Sequence, residues 1–246
     1  MSRSADDKVA RWCESSSSVF GHDLQRLARS RAKSYAEADG YPHTIIDGFW
    51  ESGFFERIMS EVRPMQHEAD FPKAYSLGKR GRMQDFTPAV SQALEHLKGK
   101  PFQRFLQQLT QIHPVLPDPG NYGGGLHSTS RGGCLPRHLD FTQHRLKPGH
   151  DPVWRRINLI VFLNEDWPEE WGGHCFLSRP DRSVFAKILP VANRAVLFNT
   201  SSKSWHGQPK ALNCPHDRHR VSMTAYYYSD QKADDQQTVR STLYQP

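Results

Sequence analysis

Apolar residues recur at helical spacing in the first half of the chain and in short β-like runs in the second. Leu24, Leu27 and Ala28 share one helical face, with Arg26, Arg29, Arg31 and Lys33 mostly elsewhere. A helix is therefore expected within a polar N-terminal extension spanning 1–40, its arginines forming a solvated face. Pro42 to Phe49 reads as a short strand ending in a turn. Phe54, Phe55, Ile58, Met59 and Val62 repeat at helical spacing and predict a helix over 51–63. Two further amphipathic helices are expected over 87–97 and 101–112, broken by Lys98-Gly99-Lys100-Pro101. Phe102, Phe105, Leu106 and Leu109 would pack inward from the second.

The texture changes after Pro114. Candidate strands are Leu135–Phe141, Arg155–Leu163, His174–Ser178, Val184–Leu189, Ala195–Asn199, Trp205–Gly207 and Arg220–Tyr228. Gly123-Gly124-Gly125, Gly132-Gly133, Gly172-Gly173 and Pro190 mark turns between them. Short strands at this spacing predict a sandwich or barrel rather than a parallel sheet. The expected class is α+β, with a 1–40 extension followed by one domain over 41–246. That domain would hold its helices within 51–112 and its β core over about 120–230.

Composition narrows the setting. The net charge is +6, from 32 basic and 26 acidic residues, without a block of like charge. The excess suits acidic ligands, and the Trp167/Trp171 and Tyr226–Tyr228 aromatics read as packing rather than base-stacking platforms, so no nucleic-acid partner is expected. Cys13, Cys134, Cys175 and Cys214 form no C-x-x-C pair and read as free thiols of a reducing compartment. No apolar run approaches bilayer length and no apolar leader opens the chain, so a soluble, cytoplasmic protein without a membrane partner is expected. Oligomeric state leaves no mark in the sequence.

The chemistry concentrates in His138-Leu139-Asp140, the distant His206, and Arg220. In a strand, side chains at i and i+2 point to one face, so His138 and Asp140 could grip one metal and His206 could complete the set from another strand. Two histidines and one carboxylate on one face of an octahedral ion are the ligand set of non-heme Fe(II) oxygenases, with the opposite positions open. A carboxylate at 140, rather than glycine or alanine, favours oxygen insertion over halide binding. Arginine binds a carboxylate through two parallel hydrogen bonds and stays charged. Arg220 and Ser222, in phase on one strand, could hold the distal carboxylate of 2-oxoglutarate. Arg218 is a rival for that role. Cys214, His216 and His219 have the wrong spacing and count for a closed zinc site, and Gly123-Gly124-Gly125 lacks the Gly-Lys-Ser/Thr of a phosphate loop.

These residues stand in a wider pattern. It runs from Gly125-Leu126-His127 and Gly132-Gly133-Cys134-Leu135 through His138-Leu139-Asp140-Phe141 to the run from Arg155-Arg156-Ile157-Asn158 to Leu163-Asn164-Glu165-Asp166-Trp167. It continues with Gly172-Gly173, Asn193-Arg194-Ala195-Val196-Leu197-Phe198, Trp205-His206-Gly207 and Arg220-Val221-Ser222 before Tyr226-Tyr227-Tyr228. The pattern resembles the Fe(II)- and 2-oxoglutarate-dependent dioxygenases, in the prolyl-4-hydroxylase-like branch. The front half is similar to small bacterial members acting on amino acids and other metabolites. The resemblance implies a double-stranded β-helix (jelly-roll, cupin-like) core with the N-terminal helical part packed on it. It implies Fe(II) on His138, Asp140 and His206, and 2-oxoglutarate on Arg220, with polar contacts from Asn158 and Ser222. His127 lies near a tyrosine position that contacts the cosubstrate in prolyl hydroxylases, and is a candidate for cosubstrate or substrate contact. One departure is the spacing from His206 to Arg220, 220 − 206 = 14, longer than is usual in the prolyl hydroxylases.

The activity so implied uses Fe(II), 2-oxoglutarate and O₂ to hydroxylate an unactivated C–H, the short chain suggesting a small polar metabolite such as an amino acid or biosynthetic intermediate. A prolyl or peptidyl hydroxylase acting on a protein is the alternative within the class. A catalytically silent cupin-like binding module is the alternative outside it, and a nucleic-acid demethylase rests on charge alone.

Overall fold

The computed structural model describes residues 18–66, 73–76, 79–82, 86–239 and 241–244. The first part of the expected extension, with Cys13, lies outside them. Among the described residues four α-helices come early: α1 Leu24–Ala36, α2 Ser52–Gln66, α3 Pro88–Lys98 and α4 Lys100–Thr110. Side-chain acceptors satisfy the amides that open two of them. Asp23 accepts from the Arg26 amide at 3.0 Å to cap α1. Glu61 of α2 reaches across to accept the Ala89 and Val90 amides, capping α3 from a neighbouring helix. Extended Gly99 followed by Pro101 separates α3 from α4, as the composition there predicts.

The strands are β1 His43–Ile46, β2 Lys73–Ser76, β3 Lys79–Arg82, β4 Leu116–Pro117, β5 Gly125–Thr129, β6 Leu135–Leu139 and β7 Gln143–His144. They continue with β8 Val153–Phe162, β9 Cys175–Ser178, β10 Val184–Ile188, β11 Ala195–Asn199, β12 Trp205–Gln208, β13 Arg220–Ser229 and β14 Leu243–Tyr244. Among the described residues they form two antiparallel sheets. The larger runs β1-β11-β8-β13-β5-β3-β2, with β4 on β13 and β7 on β8; the smaller runs β10-β9-β12-β6-β14. Order and pairing make a jelly roll carrying a helical layer, the α+β class expected.

Period-two alternation assigns the faces. Ile157, Leu159 and Val161 of β8, with Val221, Met223 and Tyr227 of β13, turn outward and bury against the helices. Phe162, Val196 and Phe198 turn inward and meet Cys175, Leu177 and Ile188 of the smaller sheet. The helical layer centres on Phe102, whose ring lies 5.3 Å from Phe20, 5.2 Å from Phe105 and 5.9 Å from Tyr227. The Tyr227 hydroxyl donates to the Leu97 carbonyl at 3.0 Å, tying β13 to α3. Phe102→Ala should cost about 3–5 kcal/mol, read as a shifted midpoint in urea, because a rigid aromatic nest collapses poorly into the space.

Candidate active site

The cavity lies between the sheets. His138 and Asp140 come from β6 and the residue just beyond it, and His206 from β12. His138 and His206 are cross-strand partners, with ring centroids 4.3 Å apart. Gly207 permits this approach: a Cβ there would stand 2.8 Å from the carbonyl oxygens of Leu135 and Pro136. His138 Nε2 is 3.7 Å from Asp140 Oδ1, and His206 Nε2 is 3.3 Å from Oδ2. One ligand atom from each of the three lies within 4.8 Å of the others, and all three residues are buried.

The donor chemistry fits a metal. His138 Nδ1 donates to the Pro136 carbonyl and His206 Nδ1 to the Ser204 carbonyl, each at 2.9 Å. A carbonyl only accepts, so both Nδ1 atoms carry the proton and both Nε2 lone pairs point at the cavity. Burial alone would raise the Asp140 pKa. The Arg155 guanidinium, the two imidazoles and a hydrogen bond from Asn158 overturn that and hold the carboxyl well below the usual carboxylate range. Asp140 Oδ2 accepts from Arg155 Nη2 at 2.9 Å and from Asn158 Nδ2 at 2.6 Å.

Sequence reading passed over Arg155. It is 1 % exposed, its Nε donates to Asn158 Oδ1 at 2.8 Å, and its guanidinium sits 3.5 Å over the Tyr226 ring and 4.7 Å from that of Phe141. Simple alternation from Asn158 would aim Arg156 inward. The register shows why it does not: Tyr226 pairs with Asn158 and Tyr227 with Ile157, but Tyr228 pairs with Arg155. One extra residue bulges β8 and turns Arg155 into the core. Arg156 instead donates outward to the Gln231 carbonyl. The bulge also bears on Asn158, whose amide engages Asp140, Arg155 and, at 3.3 Å, the Thr200 hydroxyl. Asn158 lines the cavity, but its amide holds Asp140.

Arg220 starts β13 at the far end of the cavity. Its Nε donates to the Gly173 carbonyl at 2.7 Å, and its guanidinium lies 5.0 Å from the Phe162 ring. Gly173 adopts φ +77°, and a Cβ there would be 3.0 Å from Arg220 Cδ and 2.8 Å from Leu212, so the Gly172-Gly173 turn also makes room for the arginine. Burial pulls the Arg220 pKa down to about 10. Among the described residues no carboxylate lies within ion-pair distance of it. A buried cation without a counter-charge fits an anionic ligand. Arg218 leaves the cavity: its Nη2 donates to the Glu165 carbonyl and it packs over Trp171. Ser222 and His127 face each other across β13 and β5, and both line the cavity with Thr129, Thr224 and Tyr226. Its volume is about 200 Å³.

Cys175 also lines the cavity, its thiol pushed up to about 11 by burial, in keeping with an unreactive free cysteine. Cys214 donates to the Arg218 carbonyl, and His219 Nδ1 meets the Ser128 hydroxyl at 3.0 Å. Among the described residues His138, Asp140 and His206 form the one cluster able to hold a metal. No helix among them is long and apolar enough to cross a membrane.

Residues 124–228 match the family profile described as the 2OG-Fe(II) oxygenase superfamily. Among solved structures, a prolyl hydroxylase from Trichoplax adhaerens, in complex with a hypoxia-inducible-factor oxygen degradation domain peptide, aligns with TM-score 0.59 and 17 % identity over 83 % of this chain and 90 % of that one. A prolyl-4-hydroxylase from Pseudomonas putida aligns with TM-score 0.53 and 20 % identity over 82 % and 98 %. HygX from Streptomyces hygroscopicus, with nickel, 2-oxoglutarate and hygromycin B bound, aligns with TM-score 0.53 and 14 % identity over 88 % and 97 %. No curated protein matches the sequence. The superfamily profile matches the β-rich part of the chain, and the likeness to these structures shows the fold shared with them.

Proposed function

We propose that this enzyme hydroxylates an unactivated C–H of a small polar metabolite. In this reading His138, Asp140 and His206 hold Fe(II), and Arg220 with Ser222 holds the distal carboxylate of 2-oxoglutarate. When bound, iron and 2-oxoglutarate supply the oxidising power, O₂ being consumed as 2-oxoglutarate loses CO₂ to become succinate. The protein's own residues do the positioning. Arg155 and Asn158 fix Asp140 in its anionic form. The Pro136 and Ser204 carbonyls fix the imidazole tautomers. Phe162 and Cys175 wall the cosubstrate end against water.

The observation that carries the choice of a small substrate is β14. It pairs along β6 beside His138, so an extended peptide could join that edge only by displacing it. A peptidyl substrate is the second reading, favoured by the peptide complex of the Trichoplax neighbour. Anaerobic titration with Fe(II) and 2-oxoglutarate should produce a visible metal-to-ligand charge-transfer band, and its absence would favour a silent binding module. Succinate release should then follow addition of free amino acids or comparable solutes. Release with proline-containing peptides alone would reverse the assignment.

A further inference from the structure

Beyond β13 the chain returns over the cavity, and the way it is held changes along its course. Gln236 is buried, and its Nε2 donates to the carbonyls of Arg155 at 2.6 Å and Thr200 at 3.4 Å. Thr142 then clamps the next residues. Its hydroxyl donates to the Gln237 carbonyl at 2.8 Å, its amide donates to the Val239 carbonyl at 2.9 Å, and the Val239 amide donates back to Oγ1 at 2.8 Å. Thr142 lies two residues past Asp140, and Thr200 touches Asn158, so this anchor is fastened on both sides of the metal-ligand cluster.

The strand that follows is held differently. β14 is two residues long and pairs with β6 alone. Leu243 is 47 % and Tyr244 53 % exposed. Tyr244 is the cross-strand partner of His138, with ring centroids 5.7 Å apart. Thr242, two residues earlier, shares its face, and both line the cavity. Leu243 belongs to the opposite face.

We propose that β14 is both wall and gate of the substrate side. Thr242 and Tyr244 bound the space beside His138, and this strand, lifting about the anchor at Val239, sets the size of molecule that reaches the metal. The proposal rests on the reading of His138, Asp140 and His206 as the iron site. Its physical basis is the contrast in attachment. Buried hydrogen bonds to Thr142 are expensive to break, whereas a two-residue exposed ladder opens at small free energy. A hydroxyl and a phenol at the rim select a polar solute over an apolar one. The strand also covers the β6 edge, which would otherwise template an extended chain.

The test uses the full-length, iron-loaded protein and two neutral chelators with the same donor atoms, phenanthroline and its bulkier diphenyl derivative bathophenanthroline. In the wild type the bulky chelator should extract iron about tenfold more slowly. In T242A/Y244A the two rates should converge to within about twofold, while L243A keeps the wild-type ratio. Equal rates in the wild type, an unchanged ratio in the double variant, or the same convergence in L243A would each overturn the proposal. Hydrogen exchange on the metal-free protein reads the strand independently. The amides of Leu243 and Tyr244 should exchange at least about 100-fold faster than that of Val239, and equal protection also overturns the gate. Failure of the chain to take up iron would instead count against the iron site, with the exchange pattern still deciding the fate of the strand.

Discussion

Asp140→Ala should abolish turnover, weaken Fe(II) binding at least about 100-fold, and lower stability as well. The bound on affinity follows because losing even the hydrogen-bond partner of a metal ligand typically costs 10–100-fold, and here the ligand itself goes. The stability effect has a separate origin. Arg155 is buried, and Asp140 is its counter-charge at 2.9 Å. Removing one partner of a buried pair leaves an uncompensated ion and costs about 3–5 kcal/mol. For a chain of this size that is a midpoint drop of roughly 6–20 °C. Adding Arg155→Met removes the stranded cation, and the double variant should recover most of the stability but none of the iron binding. Calorimetry and metal titration on the two variants separate these roles. Iron bound at wild-type strength by D140A would end the proposed ligand assignment.

The same pair carries a pH signature. The folded-state pKa of Asp140 lies below its ordinary 3.8, so its contribution to stability is fully present above that value and is lost as pH falls through the lowered one. The double variant should lack that acid limb.

Much of this was legible beforehand, for reasons that differ between residues. The shared facing of His138 and Asp140 was readable because the register irregularity of β6 falls before His138, and that of Arg220 and Ser222 because β13 pairs evenly there. The four helices were readable because Phe102, Phe105, Leu106 and Leu109, and their counterparts, repeat at 3.6. β5 was hidden because its first residue completes a glycine run that reads as a turn, although Leu126 to Thr129 then pair along β13. Arg155 was hidden by a bulge that inverts the facing of one residue, and periodicity cannot report an insertion. Thr242 and Tyr244 were hidden because a two-residue strand has no period. Only long-range pairing to His138 gives them a place at the site.

Arg220→Met should raise the dissociation constant for 2-oxoglutarate by about 30- to 5000-fold while leaving Fe(II) affinity unchanged. That range corresponds to about 2–5 kcal/mol, the usual loss when one member of a buried, hydrogen-bonded charge pair is truncated. The expected stability change has the opposite character from that at Asp140. In the ligand-free protein Arg220 has no carboxylate partner among the described residues, and burial already opposes its charge. Removing it should therefore change stability by no more than about 1 kcal/mol, the loss of the Gly173 hydrogen bond offsetting relief of the buried cation. Arg220→Lys keeps a charge but loses the planar fork and the Nε contact to Gly173, so it should fall between wild type and methionine. A 2-oxo acid without a distal carboxylate supplies the internal check. Wild type should strongly prefer 2-oxoglutarate to pyruvate, and R220M should nearly lose that preference, because the discriminating contact is then absent from both sides. An R220M protein that still distinguishes the two acids as wild type does would place the clamp on another side chain.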